Sequence, residues 1–584
     1  MTKTFLQNIL SSALGFITGF AILICSIFIM IIGTALISAL FSGESKIEAN
    51  SIVKITFDTP IYDKPNNNPF KNFNPINALE PSKSIHLYKI LNAIDIAAKE
   101  KNIQGIVLDM NDYMSPGSAS AKEIRDALKK FKKTNKFIYA YSTAYSQSAY
   151  YIASVSDSVF MYPKGLLNLR GLSSTTPFFK NTLQAMGIKP EIIRHGKFKA
   201  AVEPFMTDKM SPENRLQTTT LLNDVWSTMI AEISENRNLT KSFLNAVADT
   251  MIMTMPSKAN VELGLIDSLI YPDHFNQFIA SKINKDVEEL EFLSIERLKN
   301  KKNKSKNKIA IIYAEGGIDG DTENIHAGYT KTIKKAFEDD EIKAIVLRVN
   351  SPGGSALISD EILSQIKLSK KDKPLVVSMG NVAASGGYYI SCAADKILAS
   401  PTTITGSIGV FGLFFTAEEL LTKKIKLSYE NVKTNTFSNL GEMHRSLSKK
   451  EKDLIQRSVK NTYLDFIQHV SEGRNMSLSE VDKIGQGRVW TGIGSLNNGL
   501  VDSLGGLQAA IETASQLANL SDFKTIELPR NQNGIESFLE NMETFYAFNF
   551  SNIKKEELYL NELRNKYLKM QGIQALLPIE YNIE

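Results

Sequence analysis

Short β-branched and aliphatic runs alternate with amphipathic stretches along most of this chain, a pattern that predicts βαβ units around a mostly parallel sheet. In the second half, residues 308–316 (KIAIIYAEG) and 343–350 (KAIVLRVN) read as buried strands, residues 357–368 as a helix, and residues 374–380 (PLVVSMG) as a further strand. Asn381 then reads as a helix cap, and a run of small residues, 382–387, carries into Tyr388-Tyr389. Ser385 therefore falls near a strand-to-helix junction. The pattern weakens beyond Ser515, and residues 531–584 have no counterpart in the first half.

The halves repeat each other. GIVLDMN at 105–111 returns as AIVLRVN at 344–350, and YYIASVSD at 150–157 as YYISCAAD at 388–395. SENRN at 234–238 returns as SEGRN at 471–475, and GLIDSL at 264–269 as GLVDSL at 499–504. The offset drifts only from 239 to 235, so four collinear segments define a tandem duplication. The Lys-rich run KNKKNKSKNK at 299–308 separates the copies and reads as a solvated linker.

No charged residue lies between Thr4 and Gly43, and residues 14–41 are almost continuously apolar. That length suffices for a membrane-spanning helix and exceeds the apolar core of a cleaved signal peptide. Lys3 precedes the run, whereas Glu44, Lys46 and Glu48 follow it; this orients the amino terminus to the cytoplasm and places the bulk of the chain outside. In a bacterium that is the periplasm.

Composition narrows the function. With 43% apolar and 22% charged residues over 584 positions, the chain is expected to fold into two or more globular domains. A net charge of +5 concentrated in one short run argues against nucleic acid as a partner. Two distant cysteines, Cys25 and Cys392, offer no disulfide framework, and the six histidines show no metal-ligand spacing. No cofactor is implied.

Chemistry centres on Ser385 in NVAASGGYYIS. A serine hydroxyl attacks only when a base takes its proton and donors hold the resulting oxyanion. Gly353 and Gly354 in RVNSPGGSA follow a predicted strand, where unobstructed backbone N–H groups can face a ligand, and Gly386 offers another. His326, His444 and His469 share that half, but none sits in a triad-like neighbourhood. Comparing the copies suggests a better base. In the first half Gln147 stands where the second has Ser385, and Ser148-Ala149 replace Gly386-Gly387. That half instead carries RHGKFKAAVEPFMTDKMS, with Lys199 aligned to Thr436. One half holds the serine and the other the lysine. A free lysine has a pKa of about 10.4, so service near neutrality takes about 4 kcal/mol of differential stabilisation. The apolar neighbours Phe198, Ala200, Ala201, Val202 and Phe205 suit such desolvation.

Taken together, MGNVAASGGYYIS, FKAAVEPF, RVNSPGGS and TGSIGVFG make the chain resemble the long, duplicated form of the signal peptide peptidase SppA (protease IV) family, in the Clp/crotonase-like superfamily. The resemblance covers roughly residues 50–525 plus the anchor. It implies Ser385 as nucleophile, Lys199 as general base, Ser407 as the residue orienting the lysine, and Gly353 and Gly354 as oxyanion-hole contributors. It further implies remnant signal peptides as substrates and a homotetramer at the cytoplasmic membrane. The expected organisation is a stub, anchor and connector (1–48), a first Clp/crotonase-like α/β repeat with the lysine (49–298), and the linker (299–308). A second repeat with the serine (309–525) and an extension of unassigned role (526–584) complete it. A crotonase-like acyl-CoA enzyme and a non-catalytic membrane scaffold are the rival readings.

Overall fold

In a computed structural model, the described residues are 47–64, 84–299, 303–320, 324–529 and 572–576, with isolated positions at 15, 16, 18, 19, 22 and 26. Most of the apolar run 14–41, and so the expected anchor, lies outside them. Among the described residues no helix is long and apolar enough to cross a membrane. The chain divides into two compact units, residues 1–51 with 101–103, and residues 52–100 with 104–584. In the first, Asn102 Nδ2 donates to the Ile47 carbonyl at 2.7 Å. Apart from strand-end residues Ser51 and Ile103, all that follows lies in the second.

The first repeat supplies β1 (Ser51–Thr56), β2 (Ile103–Asp109), α1 (Ser118–Lys132), β3 (Phe137–Tyr145), α2 (Gln147–Ala153), β4 (Ser158–Leu167), β5 (Lys189–His195), α3 (Pro212–Arg237), β6 (Ser268–Leu269) and β7 (Phe292–Ser294). Six of these strands form one sheet in the order β6-β4-β3-β2-β1-β7. The second repeat supplies β8 (Lys308–Glu315), β9 (Ile342–Ser351), β10 (Gly353–Ser355), α4 (Ala356–Ser369), β11 (Leu375–Ala384), α5 (Gly386–Tyr389), β12 (Lys396–Ala399), β13 (Ile404–Gly406) and β14 (Val410–Thr416). It continues with α6 (Lys449–Arg474), β15 (Val489–Thr491), β16 (Ser503–Leu504), α7 (Leu507–Leu517) and β17 (Lys524–Leu528). Its eight-stranded sheet runs β15-β13-β11-β9-β8-β17, with β12 also on β11 and β16 on β12. Lys308, expected in the linker, opens β8, and β17 carries the sheet past residue 525.

The parallel pairing explains the unbroken apolar runs. Ala310, Ile312 and Ala314 face one core, while Ile309, Ile311 and Tyr313 face another beneath α7, so both faces of β8 are buried. A third sheet, β10-β18-β14-β5, includes a strand beyond the repeats, β18 (Gly572–Leu576).

Three of the four recurring segments, with the strands beside them, bolt to one another alike in both copies. Tyr150 Oη donates to the Leu265 carbonyl at 2.7 Å, and Tyr388 Oη to that of Leu500 at 2.8 Å. Asp267 accepts from the Val159 N–H and Asp502 from that of Ile397, at 2.7 and 2.8 Å. Arg237 pairs with Asp267 at 2.8 Å, as Arg474 does with Asp502 at 2.9 Å. Asn238 and Asn475 end the long helices α3 and α6 in left-handed conformation, φ 53° and 52°.

Two polar clusters help join the repeats. Fully buried Arg348 on β9 meets Asp63 at 2.8 Å and Glu123 of α1 at 2.7 Å. Asn381, expected to cap its own helix, instead receives the Ala119 and Ser120 N–H groups at the start of α1, at 3.0 and 3.2 Å. Strand β11 continues through Asn381 to Ala384, so the cap serves the other repeat.

Candidate active site

Ser385 links β11 to α5 with φ 55° and ψ −113°. A non-glycine residue there costs on the order of 1–3 kcal/mol, which the surrounding structure must offset. Its N–H donates to the Gly406 carbonyl at 2.8 Å, and its carbonyl accepts from Tyr389 at 2.8 Å. The backbone is thus held at both sides of the strained bond pair. Ser385 itself is fully buried.

Lys199 reaches this serine from the other repeat. Strand β5 pairs antiparallel with β14 in a register that sets His195 opposite Val410. The chain then turns at Gly196, and Phe198 N–H donates to the Gln486 carbonyl at 3.0 Å. Gln217 of α3 donates to the Phe198 carbonyl at 3.3 Å and accepts from the Val489 N–H at 3.2 Å, clamping the lysine loop to the second repeat. Buried Glu203 braces the far side of the loop, accepting from Ser211 Oγ at 2.5 Å and Asn214 Nδ2 at 3.0 Å. Gly487 is required for the approach: a Cβ there would stand 2.5 Å from Lys199 Cβ.

Lys199 Nζ lies 2.8 Å from Ser385 Oγ, 3.0 Å from Ser407 Oγ and 3.2 Å from the Ser407 carbonyl. The lysine is fully buried, and among the described residues no carboxylate acts on it. Burial alone drives its pKa well below the ordinary lysine value. A neutral amine has two N–H bonds and one lone pair. The two donors suit the two Ser407 oxygens, and the lone pair then faces the Ser385 hydroxyl. That arrangement can remove a proton from Ser385.

On the opposite side, Gly353 (φ 94°) and Gly354 form β10. A Cβ on Gly354 would stand 2.1 Å from the Ile318 carbonyl oxygen, and one on Gly386 would stand 3.1 Å from Gly353 Cα. The glycine strand therefore packs directly against the residue after Ser385. Gly353 N–H donates to Ser351 Oγ at 3.1 Å.

Of the residues singled out in the sequence, Ser385, Lys199 and Ser407 meet in one hydrogen-bonded cluster, and Gly353, Gly354 and Gly386 border it. The histidines lie elsewhere. His444 stacks on Tyr429, His469 contacts Lys367 and Asp360, and His326 Nδ1 accepts from the Gly328 N–H. Thr436, aligned with Lys199, lies exposed in a long connection. Gln217 and Gly487 escaped the sequence reading, since neither stands in a repeated or glycine-paired motif.

Comparison with known proteins agrees with this geometry. The model of peptidase family S49 matches residues 130–284 and again 367–521. Protease 4 of Haemophilus influenzae is 33% identical over 462 residues, covering 76% of this chain and 75% of that protein. The chloroplastic serine protease SPPA of Arabidopsis thaliana is 30% identical over 448 residues, 74% of this chain and 66% of that one. A putative signal peptide peptidase SppA of Enterococcus faecium is 35% identical over 215 residues, 36% of this chain and 62% of that one. A doubled family match, long relatives aligned across both repeats, and a buried serine facing a lysine lead to one conclusion: the chain belongs to peptidase family S49 and is a serine protease.

Proposed function

We propose that this protease hydrolyses apolar peptides, remnant signal peptides foremost, through Ser385 as nucleophile and Lys199 as general base. The 2.8 Å contact between Lys199 Nζ and Ser385 Oγ, in a pocket where burial keeps the amine neutral, carries the reading. Lys199 takes the hydroxyl proton as Oγ attacks the peptide carbonyl, and the resulting ammonium returns it to the leaving amine. Water, deprotonated by the same amine, then releases the acyl group. Ser407 holds the amine in line. Backbone N–H groups of the Gly353–Gly354 strand and of Gly386 receive the oxyanion. Because Gly353 N–H is engaged by Ser351 Oγ, the donor role falls to Gly354 and Gly386, with Gly353 shaping the turn.

The substrate class is that named for the Enterococcus relative, and it fits a site where, among the described residues, no carboxylate pairs with Lys199. We further infer Clp/crotonase-like repeats at 49–298 and 309–525 joined by the Lys-rich run. The apolar run 14–41 would anchor the chain in a bacterial cytoplasmic membrane with its bulk in the periplasm, and copies would assemble into a tetramer. The deciding experiment is hydrolysis of an uncharged signal-sequence peptide by wild type, Ser385→Ala and Lys199→Ala. Loss of turnover in both variants, with folding intact, supports the dyad; full turnover in either would falsify it. An acyl-CoA enzyme would instead bind coenzyme A without Ser385 becoming acylated.

A further inference from the structure

The segment Gln486-Gly487-Arg488 of the second repeat touches both loops that surround the amine of Lys199. On the lysine loop, the Phe198 N–H donates to the Gln486 carbonyl at 3.0 Å. On the other loop, the Ser407 N–H donates to the Arg488 carbonyl at 2.7 Å, and the Gly487 N–H donates to the Ile408 carbonyl at 2.7 Å. A Cβ on Gly409 would stand 2.7 Å from Gly487 Cα and 3.3 Å from Lys199 Cδ, so the three segments meet at backbone distance. Ser407, Gln486 and Gly487 all have left-handed backbone, with φ 52°, 52° and 81°. For the serine and the glutamine that conformation persists only where neighbours hold it.

Arg488 adds a side-chain contact to these backbone bonds. Its guanidinium carbon lies 3.9 Å from the centre of the Trp490 ring and 5.1 Å from that of Phe198, the residue before Lys199. Among the described residues no carboxylate acts on it, and its buried Nε has no hydrogen-bond partner. An arginine kept for an ion pair would face an acid. This one lies on two aromatic faces, a contact that suits a flat guanidinium better than a rounded ammonium. The backbone of Phe198 is already held at its N–H by Gln486 and at its carbonyl by Gln217 Nε2, at 3.3 Å. Arg488 secures the remaining part, the ring.

We propose that Arg488 is a positioning residue for the general base: it stacks on Phe198 while its own carbonyl holds Ser407, and so sets Lys199 Nζ against Ser385 and Ser407 together. The inference rests on the dyad reading given above. Lys199 reaches the serine from a loop, so any shift of Phe198 is passed to the amine. A misplacement of about 1 Å near a reacting group costs on the order of 10²-fold in rate. Loss of the stack therefore lowers kcat and spares KM, because Arg488 acts through Phe198 and not on the peptide.

The test is a double-mutant cycle on the full chain. Arg488→Met keeps the backbone carbonyl that holds Ser407 and removes the cation; Phe198→Leu removes the ring. For wild type, both single variants and the double variant, KM and kcat are measured with an uncharged apolar peptide. Each kcat is expressed per molecule that a serine-directed acylating probe labels at completion, so a loss of folded protein does not register as a loss of rate. Each single variant should lose about tenfold in kcat with KM within about twofold of wild type. The double variant should lie within about twofold of the slower single, since both substitutions remove the same contact. Arg488→Lys, which keeps the charge without the flat face, should fall as Arg488→Met does. Phe198→Tyr, which keeps the ring, should turn over about fivefold faster than Phe198→Leu. Exposed Lys197 lies 5.8 Å from the same ring and serves as control; Lys197→Met should keep kcat within about twofold of wild type. Four results overturn the positioning role and leave the dyad reading intact: an unchanged kcat in Arg488→Met, single effects that multiply in the double variant, a raised KM with kcat unchanged, and an equal loss in Lys197→Met. The raised KM would make Arg488 a contact of the peptide itself. If Arg488→Met does not fold, Arg488→Lys takes its place in the cycle. Failure of the probe to label Ser385 in the wild type overturns the dyad reading, and this inference with it.

Discussion

The two repeats share a frame and part company at the junction that carries Ser385. In both, a strand runs into a short helix whose tyrosine is tied to the Gly-Leu-x-Asp-Ser-Leu segment, by Tyr150 to Leu265 and by Tyr388 to Leu500. In the second copy the junction residue is Ser385, held at φ 55° with no side-chain cap on the helix that follows. In the first, Ser146 caps α2 from an ordinary extended conformation, φ −66°, and Gln147 occupies the nucleophile's place inside the helix. The Gln147 carboxamide closes its own pocket, accepting from the Arg170 and Gly171 N–H groups at 3.0 Å each and donating to the Gly171 carbonyl at 3.3 Å. Of the two junctions, the one in the second repeat is held in a sparsely populated conformation and the one in the first is not. Where glutamine stands in place of the serine, the backbone is ordinary and the side chain is tied to Arg170 and Gly171. The first repeat has kept a different task, presenting Lys199 across the interface.

That contrast can be broken or sharpened by substitution. The largest effect should come from Ser385→Ala, which removes the proposed nucleophile: peptide turnover falls by about 10⁴-fold or more and acyl-probe labelling disappears. Lys199→Met should cost about 10²–10⁴-fold in kcat. It should also change how stability depends on pH. Burial lowers the folded-state pKa of Lys199 below its unfolded value, so between the two the unfolded chain binds the extra proton. The wild type therefore gains stability as pH rises through that window and loses it as pH falls through the folded pKa. Chemical denaturation across pH should show this slope in wild type and a flatter one in Lys199→Met.

Third in size is the bolt between repeats. Arg348→Met leaves Asp63 and Glu123 buried without their cation and should cost about 3–5 kcal/mol in a denaturant titration. Next, Tyr150→Phe and Tyr388→Phe each remove one buried hydrogen bond and should cost about 1 kcal/mol, alike in the two copies. A marked inequality would show that the shared frame has come to bear unequal loads. The smallest effect is expected from Gln147→Ala, with kcat/KM within about twofold of wild type, because Gln147 bonds only within the first repeat, to Arg170 and Gly171.

Much of this was legible along the chain. The β-branched runs announced the strands at 308–316, 343–350 and 374–380, observed at Lys308–Glu315, Ile342–Ser351 and Leu375–Ala384. Such runs are legible because a strand buried on both faces must be apolar throughout. Ser385 and Lys199 were legible as a pair because the duplication offers an internal control: whichever functional residue one copy lacks stands out in the other. Asn381 was misread because an Asn side chain satisfies helix N–H groups wherever a helix start lies within reach, and local sequence does not say whose helix that is. Gln217 and Gly487 were missed for the same reason, since each matters only through a neighbour from the other repeat. The tail strand escaped because five residues of weak pattern become a strand only when two existing edges receive them.

Local pattern and internal repetition, then, determined the strand sequence, the duplication, and the serine and lysine proposed as nucleophile and base, all carried by neighbours in the chain or by the alignment of one copy with the other. Tertiary structure alone decided that Lys199 is buried 2.8 Å from Ser385 with no carboxylate partner among the described residues, which repeat Asn381 caps, and that Gly572–Leu576 lies between β10 and β14. The reason is physical. A lowered lysine pKa and a filled strand gap depend on which surfaces exclude water from which groups, and those surfaces come from segments nearly two hundred residues or more apart, joined only by folding.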